Sequence, residues 1–242
     1  MNETVGCLLI HGFAGDINDI LPLAIRLREE GYQVECPTLE GHGTTRRQMA
    51  KSTRHDWLRS ADEAYKRLRM RADSIVVIGF SMGGLLAFHL TTNYPVELLI
   101  TLNTPYKYWD VKEALHYLRE DFPTHSRRYI HGIGRIPLSS MVQFRRLLSE
   151  TKPLLPKITT PYVLLQARHD DTVHAVSAEI LASTVNEAAS AEISWYEHSN
   201  HMILHGPDKE EAIAHVLTKI KAHFASKYET ADTPTRSPEP AR

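Results

Sequence analysis

A serine between glycines, in Gly79-Phe80-Ser81-Met82-Gly83, follows the apolar run Ile75–Ile78 and precedes a helix-like stretch from Gly84 onward. In that strand–turn–helix setting the Gly-x-Ser-x-Gly pattern lifts a serine hydroxyl out of a sheet on a sharp turn. The turn also sets the serine beside a helix N-terminus, whose free N–H groups favour negative charge. The chemistry this suits is nucleophilic attack on a carbonyl. A hydroxyl is a weak nucleophile unless a base takes its proton, so the remaining residues are read for a base and for a group that orients it.

The order nucleophile, acid, histidine is the one such a turn requires. Asp170 and Asp171 stand in Gln166-Ala167-Arg168-His169-Asp170-Asp171, just after the apolar run Tyr162–Leu165. His201 closes His198-Ser199-Asn200-His201, just after Ile193–Tyr196. All three positions therefore fall beyond the carboxyl ends of strands, the edge at which open α/β sheets bind ligands. His198 and His205 compete for the role of base. His201 is preferred because it ends a loop of small polar residues and directly precedes apolar Met202 and Ile203. On the residues alone the acid is either Asp170 or Asp171. His55, His116, His125, His215 and His223 are read as packed or solvated, and His169 as accessory at most.

Charge developing on a substrate oxygen needs two aimed N–H groups. Met82, the residue after the serine, supplies one amide. The loop after Val5–Ile10 reads His11-Gly12-Phe13-Ala14-Gly15, and Phe13 is the candidate for the other. Paired metal-ligand spacing such as His-x-x-x-His beside a glutamate does not occur, so neither a metal nor an organic cofactor is expected.

These groups need a rigid frame. The runs Val5–Ile10, Tyr32–Cys36, Ile75–Ile78, Leu98–Leu102, Tyr162–Leu165 and Ile193–Tyr196 read as strands, most of them rich in Val, Ile and Leu, as in sheets covered on both faces. Stripes at helical spacing lie between them: Ile20, Leu23 and Leu27 before Gly31; Leu58, Ala61, Tyr65 and Leu68; Leu85, Leu86 and His89; Ile180 and Leu181; Ile213, Val216, Leu217 and Ile220. This alternation predicts an α/β fold, a sheet of about six mostly parallel strands flanked by helices. Between Pro105 and Pro156 no strand intervenes, and Trp109, Phe122, Phe144 and Leu147 lie on helix-like stretches. A small helical cap over an apolar pocket is expected there, extra core helices being the alternative. One domain should cover 1–225, with the cap at about 105–156. The Thr/Pro/Ser-rich residues 226–242 are expected to be a disordered tail.

The 242 residues carry 28 Lys+Arg against 29 Asp+Glu, so no positive field draws nucleic acid or an anionic membrane. No signal peptide or long apolar span is seen, which predicts a cytoplasmic protein, monomeric or homodimeric, without stable membrane insertion. Cys7 and Cys36 are read as free thiols in apolar strands rather than a disulfide.

At these residues the chain resembles the α/β-hydrolase superfamily and, within it, the small bacterial carboxylesterases and monoacylglycerol lipases. The likeness runs from about Val5 to Phe224. It rests on His11-Gly12-Phe13, Glu40-Gly41-His42-Gly43, Asp56-Trp57, Gly79-Phe80-Ser81-Met82-Gly83-Gly84, Ala167-Arg168-His169-Asp170, Trp195-Tyr196-Glu197 and Ser199-Asn200-His201. Asn200 departs from the glycine usual before the histidine. The resemblance implies Asp170 rather than Asp171 as the acid, Phe13 and Met82 as the oxyanion amides, and a helical cap as the acyl pocket. It further implies a serine carboxylesterase that cleaves short- to medium-chain acyl esters or monoacylglycerols, small-molecule substrates, through an acyl-enzyme. Thioester hydrolysis, acyl transfer or carbon–carbon hydrolysis on the same groups, and a non-catalytic binding protein, are the alternatives, since fold does not choose among them. Turnover carried by these residues should survive dialysis against a chelator unchanged; loss of activity on chelation, restored by zinc, would point to a metal mechanism instead.

Overall fold

The computed structural model describes residues 3–107 and 136–231, with side chains as far as Lys227. Six strands form one parallel sheet: β1 (Val5–Ile10), β2 (Gln33–Glu35), β3 (Ser74–Phe80), β4 (Leu98–Leu102), β5 (Tyr162–Ala167) and β6 (Glu192–Tyr196). Their order is β2-β1-β3-β4-β5-β6. The chain leaves β1 in one direction to form β2, then returns to build β3 on the other side of β1. The reversal of strand order thus falls between the carboxyl ends of β1 and β3, where open α/β sheets place ligands. Those two ends carry the Phe13 loop and Ser81.

Strand side chains alternate between two cores, as the pleat demands. Leu8, Ile10, Ile75, Val77, Leu99 and Leu164 face α3 (Arg54–Arg69), α4 (Met82–Asn93), α5 (Leu138–Thr151) and α6 (Val176–Thr184). Cys7, Leu9, Val76, Ile78, Ile100 and Leu165 face α1 (Leu21–Glu29) and α7 (Lys209–Ala231). A short α2 (Arg46–Met49) begins in a capping box between Thr45 and Gln48. Among the described residues these seven helices flank the sheet, and none is long and apolar enough to cross a membrane.

The expected strands and helices are present, with differences at their ends. β2 is shorter than Tyr32–Cys36, since only Gly6, Cys7 and Leu8 of β1 offer it partners. The last helix, α7, continues to Ala231, past Ser226 where the tail is expected to begin. Lys227, one residue into the expected tail, extends its ammonium to Glu3 at 3.1 Å and Glu97 at 3.0 Å, tying this turn to the start of the chain and the loop before β4. Composition alone does not register such partners. Residues 232–242 of that tail, and 108–135 of the expected cap, lie outside the described residues. The described end of the insertion is α5, which packs Phe144, Leu147 and Leu148 into the core. It is also pinned to α3 by the Arg54 guanidinium, which donates to Glu150 at 2.7 Å and Gln143 at 3.0 Å. Cys7 and Cys36 are free thiols; burial pushes Cys7 well above the usual thiol range and Cys36 up to about 11.

Close packing between β1 and α4 leaves no room for a side chain at position 83. A Cβ there would sit 2.1 Å from the carbonyl oxygen of Ile10, and backbone atoms cannot swing aside. Gly83→Ala should therefore cost about 1–3 kcal/mol of stability. Gly31→Ala should cost less, because Gly31 has only its positive φ of 89° to lose and open space around it. Thermal unfolding of the two variants tests this; equal melting temperatures would refute the steric account.

Candidate active site

Ser81 sits where β3 turns into α4, with φ 52° and ψ −121°. A non-glycine residue is costly in that region. Neighbouring glycines let the turn close: a Cβ on Gly79 would lie 2.4 Å from the amide nitrogen of Gly84. The Ser81 N–H donates to the Leu102 carbonyl at 2.8 Å, and its own carbonyl accepts from the Gly84 N–H at 3.0 Å. The sequence thus sets a serine at a helix N-terminus, bonded into the end of the adjacent strand.

The structure brings Ser81, His201 and Asp170 together across 120 positions of chain. His201 Nε2 lies 3.0 Å from Ser81 Oγ, and His201 Nδ1 lies 2.8 Å from Asp170 Oδ2. With Nδ1–H donating to the carboxylate, Nε2 is left with its lone pair toward the serine hydroxyl. Ser81 is 7% and His201 8% exposed, and the Asp170 side chain is fully enclosed. Asp170 Oδ1 also accepts from the N–H groups of Thr172 and Val173, both at 2.8 Å. These bonds fix the carboxylate before the histidine is considered. Asp171 instead accepts from the Thr172 hydroxyl at 3.2 Å. The Phe80 ring, 5.1 Å from the His201 ring, packs on the base from below the turn.

His198 and His205 do not reach Ser81. They line an outer cavity with His169, and His205 Nε2 donates to the Asn18 carbonyl at 2.9 Å. Asn200, which breaks the family pattern, accepts the Met202 N–H on its side chain at 3.1 Å. That local turn offers the loop a route into His201 that glycine provides elsewhere by freedom alone. Among the described residues no group of three His, Cys, Asp or Glu side chains is arranged to hold a metal ion.

Phe13 and Met82 stand on either side of Ser81. Met82 opens α4 directly after it. The loop bearing Phe13 approaches so closely that a Cβ on Gly12 would lie 3.2 Å from Ser81 Cβ. Their amides donate to no other group among the described residues. The Phe13 ring stacks on Phe144 of α5 at 5.0 Å and packs against Trp57 at 5.7 Å. Two buried imidazoles complete this wall. His11 donates from Nδ1 to the Gly12 carbonyl and accepts the Leu39 N–H on Nε2. His42 lies 5.3 Å from both the His11 and Trp57 rings. Beyond the loop a cavity of about 500 Å³ is lined by Asp16, Asp19, His42, Thr44, Arg46 and Met49, among others. Burial, with Asp16 close by, holds the Asp19 carboxyl above the usual range.

Sequence reasoning passed over several residues that hold this site. Asp208 accepts the N–H groups of His198 and Ser199, at 2.9 and 2.8 Å, and so clamps the loop leading to His201. Asn103 and Thr104 touch the loops of all three groups. The one available signal was their place immediately after β4, on the edge already marked by Ser81.

Residues 7–215 match the model of the Alpha/beta hydrolase family. The chain is 30% identical over 237 residues to a thermostable monoacylglycerol lipase of Bacillus sp. (strain H-257), covering 92% of each protein. It is 27% identical over 219 residues to a carboxylesterase of Bacillus subtilis (strain 168), covering 86% of this chain and 88% of that one. A solved structure from the metagenome-derived lipolytic enzymes LipS and LipT superposes with a TM-score of 0.79 at 24% identity, over 92% of this chain and 96% of the other.

Burial presses the His42 pKa down to about 4, the neighbouring His11 adding to the effect. The folded protein therefore holds His42 neutral where the unfolded chain binds a proton near 6.5. Its contribution to stability is whole above pH 6.5 and drains away as pH falls toward 4, amounting to about 3 kcal/mol. Denaturant unfolding between pH 4.5 and 7 should show a steeper acid loss for wild type than for His42→Phe. Parallel curves would disprove it.

Proposed function

Since the chain belongs to the alpha/beta hydrolase family, we propose that it is a serine carboxylesterase that hydrolyses short- to medium-chain acyl esters or monoacylglycerols through an acyl-enzyme. The observation that carries the reading is the unbroken line of hydrogen bonds from Ser81 Oγ through His201 to Asp170. Ser81 attacks the ester carbonyl as His201 Nε2 takes its proton. Asp170 holds the imidazole in the required tautomer and stabilises the imidazolium that forms. The developing oxyanion is met by the amides of Phe13 and Met82. His201 then gives its proton to the departing alcohol, and the same ring activates the water that frees the acid.

Substrate class rests on two supports. The bacillar relatives are named as a monoacylglycerol lipase and a carboxylesterase. The site also has two chemically different sides. Phe13 presents an apolar side to an acyl chain, backed by the buried rings of Trp57 and Phe144. The cavity beyond the oxyanion loop presents carboxyl, hydroxyl, imidazole and guanidinium groups, suited to a hydroxylated alcohol.

p-Nitrophenyl esters of increasing acyl length, followed by 1-monoacylglycerols, thioesters and amides, test the reading. Wild type should show an initial burst and covalent labelling of Ser81 by a fluorophosphonate. Ser81→Ala should lower kcat by roughly 10⁴–10⁶, and Asp170→Asn by roughly 10⁴. A folded wild type that neither turns over esters nor takes the label would remove the proposal. Preference for thioesters across the panel would redirect it.

A further inference from the structure

The last residue of β4 and the two that follow it bond to the Ser81 turn, to the end of the strand that leads to Asp170 and to the backbone of His201. The Leu102 carbonyl accepts the Ser81 N–H at 2.8 Å. The Thr104 hydroxyl donates to the Ser81 carbonyl at 3.2 Å. Between them, Asn103 turns its amide across the gap that separates the acid-bearing strand from the base-bearing loop. Asn103 Oδ1 accepts the N–H of Ala167, three residues before Asp170, at 2.8 Å. Asn103 Nδ2 donates to the carbonyl of His201 itself at 2.8 Å and to that of Asn200 at 3.4 Å. The side chain is 1% exposed, so water does not substitute for these bonds.

Position 103 is demanding in a second way. Its φ is 48°, in the left-handed region. The site needs a residue that tolerates this backbone and carries one acceptor and one donor a single methylene from Cα. Asparagine meets all three needs. Aspartate in its ionised form lacks the donor, glycine lacks both groups, and glutamine is longer by a carbon. We propose that Asn103 is a positioning residue that sets the distance between the Asp170 turn and His201, and through it the line of the His201 ring toward Ser81. The proposal rests on reading those three residues as the reacting groups. Asn103 touches none of the reacting atoms; it acts through the backbone on both sides of the His201–Asp170 bond. Displacement of a reacting group by about 1 Å costs up to roughly 100-fold in rate.

Two variants separate this role from simple support of the fold. Asn103→Gly keeps the backbone conformation and deletes both side-chain bonds. Asn103→Asp also tolerates that backbone and keeps the acceptor for Ala167, while removing the donor to His201. Each is compared with wild type for melting temperature, for the rate at which a fluorophosphonate labels Ser81, for kcat and KM on the fastest p-nitrophenyl ester, and for the downfield proton resonance of His201 Nδ1–H.

In both variants labelling and kcat should fall by roughly 10- to 100-fold with KM little changed, and the downfield resonance should shift or broaden while the protein stays folded. If Asn103→Gly does not fold, Asn103→Asp alone carries the measurement. Folded variants that label at the wild-type rate with the resonance unmoved would overturn the proposal. A wild type that is labelled yet cleaves no ester would defeat the esterase reading while leaving the labelling rates to judge Asn103. A wild type that resists the label also defeats that reading, and the resonance then decides the positioning role.

Discussion

Ser81 occupies a backbone conformation that a serine enters only when its surroundings insist. A residue held there costs of order 1–3 kcal/mol, and the neighbourhood is arranged to bear that cost. Gly79 and Gly83 clear space for the turn, the Leu102 carbonyl takes the Ser81 N–H, and β1 presses against α4 with no Cβ between them. Relax this turn and the hydroxyl sinks toward the sheet, away from Nε2 and from both candidate oxyanion amides. The two-layered core, with helices on both faces, supplies the rigidity that keeps the strain in place.

On the Phe13 side of that turn the surroundings are apolar rings. Phe13, Phe80, Trp57 and Phe144 pack around it, and burial disfavours the charged forms of the neighbouring His11 and His42. Fixed dipoles act more strongly in such surroundings than in water.

Much of this was readable in the residues. Near-continuous Val/Ile/Leu runs identified strands covered on both faces, and a mostly parallel sheet followed from their alternation with amphipathic helices. Ser81 and His201 stood out because a glycine-flanked serine and a polar loop ending in histidine each follow a strand. Asp170 and Asp171 are adjacent and chemically alike, so only the fold, which turns one inward to Nδ1, or a resemblance, could separate them. Asn103, Asp208 and Lys227 escaped because their partners lie at remote positions: Asn103 bonds residues 64 and 98 places away. No local periodicity encodes such pairings, and the tail composition from Ser226 concealed a helical turn held by Glu3 and Glu97.

The hydrogen bond between Ser81 and His201 closes a loop of 120 residues, and Asp170 and His201 stand after the last two strands. Contacts of such sequence separation form late, because the entropy of closing long loops is met before they stabilise anything. A chain during its synthesis exposes the Ser81 turn long before β6 exists to deliver an imidazole. Until then Ser81 Oγ has no His201 ring within hydrogen-bond reach. The Ser81–His201 contact therefore exists only in the completed sheet, with the loop after β6 in place.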